Sequence, residues 1–563
     1  MEKKIINKEF SASGQIVADD VAELASQGIK SIVCNRPDGE GSDQANFIEI
    51  EEVAKQHDIA FHYLPVVSGK ITDQDVNDFA ALYANLPKPV HAYCRSGMRS
   101  TTLWALSRIQ EGHGAQEDVF AAAKNAGFDL SALAARTTAA PAGVEAQKPS
   151  SAKTTWDVLI VGAGAAGISV ASSLLSREQN LSVAVIDPSD AHYYQPGWTL
   201  VGGGVFKAEQ TKRSAASLIP SGVKWIKAAV AGFEPERNVV VLEGCEEVSY
   251  KRLIVAPGLM LNWHGIEGLV ETLGKNGVTS NYRYDLAPYT WELVQNLNQG
   301  RALFTQPPMP IKCAGAPQKA MYLSGDYWYK NDRLRDIDIE FYNAGGALFG
   351  VKEYVPALMN YIDRYKVDLK FTHNLVRING EEKTAWFEKS DTEGNKEIVE
   401  TQFDMIHVCP PQKAPLFISS SVLADKGGWV DVDQNTLRHK NYDNIWSLGD
   451  VMNAPNAKTA AAARAQAPIV AANVVADINK SSAVAHYNGY GSCPLTVERG
   501  KVVLAEFGYG GKLLPSFPPW LLDGTKPTRA AWFLKEKLLP PIYWEAMLKG
   551  KEWMVKPKMK QEA

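Results

Sequence analysis

The stretch that most limits how this chain can fold is residues 157–187. The apolar run DVLIV (157–161) passes straight into Gly162-Ala-Gly164-Ala-Ala-Gly167, then into the small-residue stretch ISVASSLL; a second apolar run, LSVAVI, ends at Asp187. Strand, glycine turn, helix, strand and acidic residue, in that order, make one dinucleotide-binding half. Gly162 permits the tight turn, Gly164 lets the backbone approach a pyrophosphate, and Gly167 lets helix and strand pack closely. The helix N-terminus offers amide donors to the phosphates, and Asp187 is placed to bind a ribose hydroxyl. A glycine fingerprint alone is weak, but here its whole context is present. An α/β layer with a mainly parallel sheet is therefore expected from Trp156 to about residue 500.

With 563 residues, two to four domains are expected. Before the glycine turn, SIVCN (31–35), IAFHYLPV (59–66) and PVHAY (89–93) read as strands. Phe47 to Gln56 and Asp73 to Tyr83 have helical spacing, with Thr72 as an N-cap for the second. Regular alternation again argues for α/β. The Ala-, Pro-, Ser- and Thr-rich stretch 137–155 reads as a linker. The expected division is an α/β cysteine domain at 1–136, the linker, a dinucleotide-binding region at 156–512, and a tail at 513–563.

The formal charge of -4, from 59 basic and 63 acidic residues, gives no global attraction to nucleic acid. Six cysteines, widely spaced and with no CxxC, argue against a disulfide scaffold or a structural zinc site. The opening MEKKIINKEFSASGQ has no apolar core and does not read as a secretory leader. No apolar run reaches the length of a membrane-spanning helix. The expected location is the cytoplasm, with surface contact to a membrane left open.

Two cysteines stand in reactive contexts. Strand PVHAY ends at Cys94-Arg-Ser-Gly-Met-Arg99, which enters the helix TLWALSRIQ. A thiolate there would sit in a ring of backbone amides at a helix N-terminus, and Arg99 can hold an oxyanion through two parallel bonds. The segment ASGQI, CNRPDGE, LPVVSG and YCRSGMRSTTLWAL resembles the phosphatase-fold family also found fused to persulfide-oxidising enzymes. Protein-tyrosine-phosphatase-like enzymes place five residues between cysteine and arginine; rhodanese-like sulfurtransferases commonly place four. Here there are four, Tyr93 stands where phosphatases carry histidine, and LPVVSGK (64–70) holds no acid. Sulfur transfer is the expected chemistry, with Arg36 and Asp38 as further substrate contacts.

The second context lies in ALFTQPPMPIKCAGAPQKAMYL (302–323), around Cys313. This segment resembles the active-site cysteine region of sulfide:quinone oxidoreductases, as do GWVDVDQNTL (428–437) and SCPLTVERGKVVLAEFGYGG (492–511). The stretch 444–474, with Gly449-Asp450 before an alanine-rich helix, resembles the second flavin motif of two-dinucleotide-binding-domain flavoproteins. The resemblance implies bound FAD, held by Gly162, Gly164, Gly167, Asp187, Gly449, Asp450 and Lys458. It also implies a redox-active Cys313, with Lys312 beside it to favour the thiolate. In the mitochondrial-type branch it implies a second redox cysteine after the Gly-Asp pair, where this chain has Val451. Cys409, in MIHVCPPQKAP, is the expected substitute; Cys493 reads as structural and Cys245 as incidental.

In the tail, Trp520, Trp532, Phe533, Tyr543, Trp544 and Trp553 interleave with Lys535, Lys537, Lys549 and Lys551. Two amphipathic segments broken by Pro540-Pro541 suit an element lying in a membrane interface; a cover over the core or a dimer contact are the alternatives. The combined expectation is a Rossmann-type flavoenzyme behind an N-terminal phosphatase-like domain. It would oxidise sulfide through a Cys313 persulfide and reduce quinone at the inner face of the cell membrane. The sulfur would pass to a small thiol, with Cys94 carrying persulfide sulfur. Self-association into a homo-oligomer is compatible with the pattern. A phosphatase fused to an NAD(P)H-linked flavin reductase, or a flavin-containing sulfide sensor, are the competing readings.

Overall fold

The structure, a computed structural model, describes residues 3–561 except 41–43, 68–70, 129, 131–132, 134–154, 244–245 and 392. The linker expected at 137–155, save Thr155, lies outside the described residues, as do Cys245 and the end of LPVVSGK.

The N-terminal region is built on a five-stranded sheet. Its strand order is Lys4–Ile5, Phe10–Ser13, Val90–Tyr93, Ser31–Cys34, Ala60–Tyr63, and every pairing except the first is parallel. Parallel sheets need both faces covered, and two apolar clusters supply this. One gathers Phe10, Phe79, Tyr83 and Trp104; the other gathers Val21, Leu24, Ile50 and Tyr93. The helix Asp73–Asn85 is capped by Thr72, whose hydroxyl accepts the Asp75 amide while the Asp75 carboxylate takes the Thr72 amide. The central strand Val90–Tyr93 delivers Cys94 at its C-terminal end, directly before the helix Met98–Gln110.

Behind Thr155 lie two lobes. The first holds the strands Val223–Ile226, Val183–Ile186, Thr155–Val161 and Glu247–Val255 in parallel, with Ile445–Ser447 also on the last of these. An antiparallel pair, Val239–Leu242 and Val230–Glu234, extends its edge. Helix Ala165–Arg177 lies against helix Ala460–Ile478, so the two flavin-like motifs, nearly 300 residues apart in sequence, share one surface. The second lobe is a five-stranded parallel sheet ordered Val278–Thr279, Met405–His407, Gly300–Gln306, Ile337–Asn343, Asp368–Phe371. A hairpin, Gly491–Glu498 and Lys501–Phe507, packs on this lobe's helix Ala316–Lys330.

The C-terminal segment does not stand apart from this core. Tyr543, Trp544, Met547 and Leu548 join the first lobe's apolar cluster, and the Tyr543 hydroxyl bonds His192 at 2.7 Å. Residues 529–545 are helical throughout, but the middle turn, Leu534–Leu538, is wound wider than an α-helix. Pro540 and Pro541 stand at the first positions of the helix Leu539–Glu545, where proline is tolerated, so they do not break the chain's path. Its outer face is a different surface: Trp520 is 84% exposed, and Leu521, Phe533 and Leu538 are exposed as well.

Candidate active sites

A cavity of about 1340 Å³ runs from Gly164 and Asp187, past Lys312, Cys313 and Lys319, to Leu534, Lys535, Leu538 and Ile542 of the C-terminal helices. Its first end is a dinucleotide cradle. Gly162 has φ +101°, and a Cβ there would stand 2.4 Å from the Ala256 carbonyl oxygen. A Cβ on Gly167 would meet the Gly162 carbonyl oxygen at 1.8 Å, so helix and turn close only with glycine at both positions. A Cβ on Gly164 would meet nothing within 4 Å, which leaves its backbone bare to the cavity for a pyrophosphate. Asp187 is pinned by the amides of Ala163 (2.7 Å) and Ser189 (2.8 Å).

The second flavin-like motif closes the cradle. The Gly449 amide donates to Gln466, and Asp450 lines the cavity, its carboxyl raised by burial. Lys458 donates to the carbonyls of Asp450 (2.6 Å) and Met452 (2.8 Å), so its amine braces the turn. Burial holds that amine down to about 8. Trp198 Nε1, Thr199 Oγ1 and both side-chain polar atoms of Asn281 are buried without partners, and all three residues line this cavity. Buried polar groups are rarely left unpaired, so these fit a cofactor rich in hydrogen-bonding edges.

Midway along the cavity stands Cys313, in the loop joining strand Gly300–Gln306 to helix Ala316–Lys330. Its φ is +49°, a left-handed conformation that a non-glycine residue adopts at some cost. Its amide donates to the Lys458 carbonyl at 2.8 Å, and the Tyr282 hydroxyl reaches the Lys312 carbonyl at 3.2 Å. The sulfur beside Cys313 Sγ is Cys493 Sγ, at 3.6 Å, from the hairpin strand Gly491–Glu498. Gly315 makes this approach feasible, since a Cβ there would fall 2.5 Å from Cys493 Sγ.

Lys319, near the start of helix Ala316–Lys330, places its Nζ 3.1 Å from Cys313 Sγ. The hydrogen bond with Cys493, then the Lys319 charge, hold the Cys313 thiol well below its ordinary range despite burial. The same hydrogen bond, with burial, pushes Cys493 well above. Of the two sulfurs, the one in contact with the Lys319 ammonium, Cys313, is favoured as the thiolate. Burial opposes the charge on Lys319, but the two sulfurs outweigh it and keep the ammonium protonated. Lys535 is buried behind them; burial, then repulsion from Lys319, bring it down to about 7.

The expected Cys313–Cys409 pair does not form in this arrangement. Cys409 Sγ lies against the Pro410 carbonyl (3.9 Å) and Gln412 (4.0 Å), and burial pushes its thiol up to about 12. The Lys312 ammonium donates to Gln195 at 2.6 Å, so the lysine in hydrogen-bond contact with the Cys313 sulfur is Lys319. Val451 is buried in the first lobe's core. Cys493, expected to be structural, is the residue the sequence reading passed over. The signal for it was Gly315, whose missing side chain makes room for a sulfur 178 positions away.

The Cys94 site is built differently. Cys94 Sγ accepts the Gly97 amide at 3.2 Å and is fully buried. The expected oxyanion fork of Arg99 is engaged: Nη1 donates to the carbonyls of Asn35 (3.1 Å) and Val66 (2.6 Å), and Nη2 to Glu40 (2.8 Å) and Glu243 (3.2 Å). Arg36 bonds Glu40 and Gln15, and Asp38 accepts from Gln44 and the Phe47 amide.

Residues 156–303 match the pyridine nucleotide-disulphide oxidoreductase family, and residues 2–111 the phosphatase-like domain of beta-lactamase hydrolase-like proteins. The mitochondrial sulfide:quinone oxidoreductase of Dictyostelium discoideum is 42% identical over 402 residues, 71% of this chain and 87% of that protein. A beta-lactamase hydrolase-like protein of Xylella fastidiosa is 33% identical over 125 residues, 22% of this chain and 29% of that one, so the likeness is confined to the N-terminal region. The crystal structure of the sulfide:quinone oxidoreductase of Aquifex aeolicus superposes with a TM-score of 0.60 at 18% identity, covering 72% of this chain and 97% of its own.

Proposed function

Because the chain belongs to the sulfide:quinone oxidoreductase family, with FAD as its cofactor, we propose that it oxidises sulfide at the Cys313–Cys493 pair and passes the electrons to a quinone. The observation that carries this reading is a pair of cysteine sulfurs 3.6 Å apart, with the Lys319 ammonium 3.1 Å from one of them, on the wall of the cavity that begins at the glycine cradle.

The asymmetry of the pair sets the order of events. In its oxidised form the pair is a disulfide, which HS⁻ opens by forming a new S–S bond to one sulfur as the old bond breaks. The lower-pKa thiol leaves faster, so Cys313 departs as the thiolate with the bond's electron pair, and the persulfide sits on Cys493. This reverses the expectation of a Cys313 persulfide. A small thiol then takes the outer sulfur, which leaves both cysteines reduced. Re-forming the disulfide releases the two electrons that sulfide brought. FAD, when bound, supplies the two-electron carrier between that dithiol and quinone. Lys319 holds the charge of the departing thiolate throughout.

The far end of the cavity suits an apolar acceptor. Leu534, Leu538, Leu539 and Ile542 line it, and Leu538 also faces solvent beside the exposed Phe533. With Trp520 and Leu521 outside, this face is proposed to rest on the inner face of the cell membrane, where a quinone is collected. Among the described residues, no helix is long and apolar enough to cross a membrane. Loss of liposome binding in a folded Trp520→Ser, Leu521→Ser double variant is expected; retained binding would remove this part of the reading.

In the N-terminal domain, Cys94 is proposed to take sulfane sulfur from an anionic donor. With thiosulfate, the thiolate forms an S–S bond to the outer sulfur and sulfite leaves. The four-residue spacing to Arg99 favours this over phosphate chemistry. Anaerobic mixing tests the main reading: sulfide alone should bleach the flavin, and a soluble quinone should restore the colour. Bleaching by NAD(P)H but not by sulfide would overturn it.

A further inference from the structure

Glu243 belongs to the flavoprotein, in the turn after strand Val239–Leu242, yet its carboxylate enters the Cys94 loop. One oxygen accepts from Arg99 Nη2 at 3.2 Å; the other accepts from the Ser96 hydroxyl at 3.0 Å. Its side chain is 2% exposed, so the contact is sealed from water. Ser96 lies two residues after Cys94, and Arg99 is the loop's closing residue. Together they are the groups that an anionic sulfur donor would need.

Glu40 is shared by Arg99 and Arg36, so without Glu243 two buried cations would face one carboxylate and an anion is called for at this place. The four groups make a buried set of two cations and two carboxylates. Burying an additional carboxylate costs free energy unless it is paired and hydrogen-bonded. Glu243 meets that condition by taking the two contacts of an incoming oxyanion. Arg99 Nε remains buried without a partner, so the loop keeps unused donor capacity.

We propose that Glu243 is an in-cis competitor for the anionic donor of the Cys94 site. The donor must expel this carboxylate, and part this edge of the two domains, before it reaches the sulfur. Cys94 is then closed while the domains are docked and opens when an anion replaces Glu243. The meaning of the device rests on Cys94 as the sulfur-carrying thiol, but the contact itself can be tested without any sulfur transfer.

The test uses the full-length, FAD-loaded protein with Glu243→Gln and Glu243→Ala. The quantity measured is the rate of Cys94 carboxymethylation by iodoacetate, followed by peptide mass. Removing one charge-assisted contact to a buried arginine should raise the rate about tenfold or more in both variants. Thiosulfate should protect Cys94 at correspondingly lower concentration. Rates equal to wild type in both variants would overturn the proposal. Glu243→Gln keeps the size of the side chain, so it reports even where the alanine variant folds poorly. Faster alkylation without any transfer of sulfur from thiosulfate to cyanide would leave the gate standing and remove the sulfurtransferase reading instead.

Discussion

The protein holds two buried cysteine sites that differ in what surrounds the sulfur. Around Cys313 the neighbours are cations: Lys319 at 3.1 Å, with Lys535 behind it. Around the Cys94 loop the cation is present, but Glu40 and Glu243 already occupy it. The first site is arranged to hold a negative sulfur at rest. The second is arranged to hold a carboxylate until another anion displaces it. Burial alone therefore says little about a cysteine's chemistry; the sign and availability of the nearest charge decide it.

The largest effects should come from the sulfurs themselves. Cys313→Ser and Cys493→Ser should each stay yellow and lose sulfide:quinone turnover by about three orders of magnitude or more, because neither can form the disulfide. Cys409→Ser should keep turnover near wild type, and Cys94→Ser should keep flavin bleaching while losing transfer from thiosulfate. Near-normal turnover in Cys493→Ser would restore Cys409 as the partner. Gly164→Val should lose FAD by placing a side chain on the bare face of the cradle, read from the 450 nm absorbance of the purified protein. Full FAD content would break the assignment of the cradle.

Much of this architecture was legible in sequence because it is local. The glycine turn at 162–167, the capped helix Asp73–Asn85 and the strand delivering Cys94 each follow from residues within one or two turns. The proposed redox partner was not, because Cys493 reaches Cys313 only when a hairpin folds back onto helix Ala316–Lys330. The position of Lys535 was hidden for another reason. Amphipathic pattern in 513–555 correctly marks two faces, but it does not say which lysine a widened turn rotates inward. Glu243 was invisible because it acts across a domain junction, and no local pattern reports on such a contact.

Lys319 gives the next effect in size. Lys319→Met keeps the length of the side chain and removes the charge that stabilises the Cys313 thiolate. A hydrogen bond to a charged group is worth about 1.5–3 kcal/mol, so Cys313 alkylation near neutral pH should fall about 10- to 100-fold. Its pH midpoint should move up toward an ordinary thiol. An unchanged midpoint would mean that Cys493 alone sets the thiolate, and the contrast between the two sites would lose its electrostatic basis.

The smallest effect belongs to Lys535, and pH is the way to see it. Its amine is lowered to about 7, by burial first and Lys319 second. Below that pH it is charged and adds a second cation behind the sulfur pair; as pH rises through 7 that charge is lost. The ratio of iodoacetate to iodoacetamide rates at Cys313 isolates this term, because the thiolate fraction cancels between the two reagents. In the wild type the ratio should fall a few-fold between about pH 6 and pH 8, since one nearby charge in a partly screened site is worth about 1 kcal/mol. In Lys535→Met it should be low and flat. A helix that merely filled space would leave the slope intact in the variant, so a persistent slope would take Lys535 out of the site and leave Lys319 as its working cation.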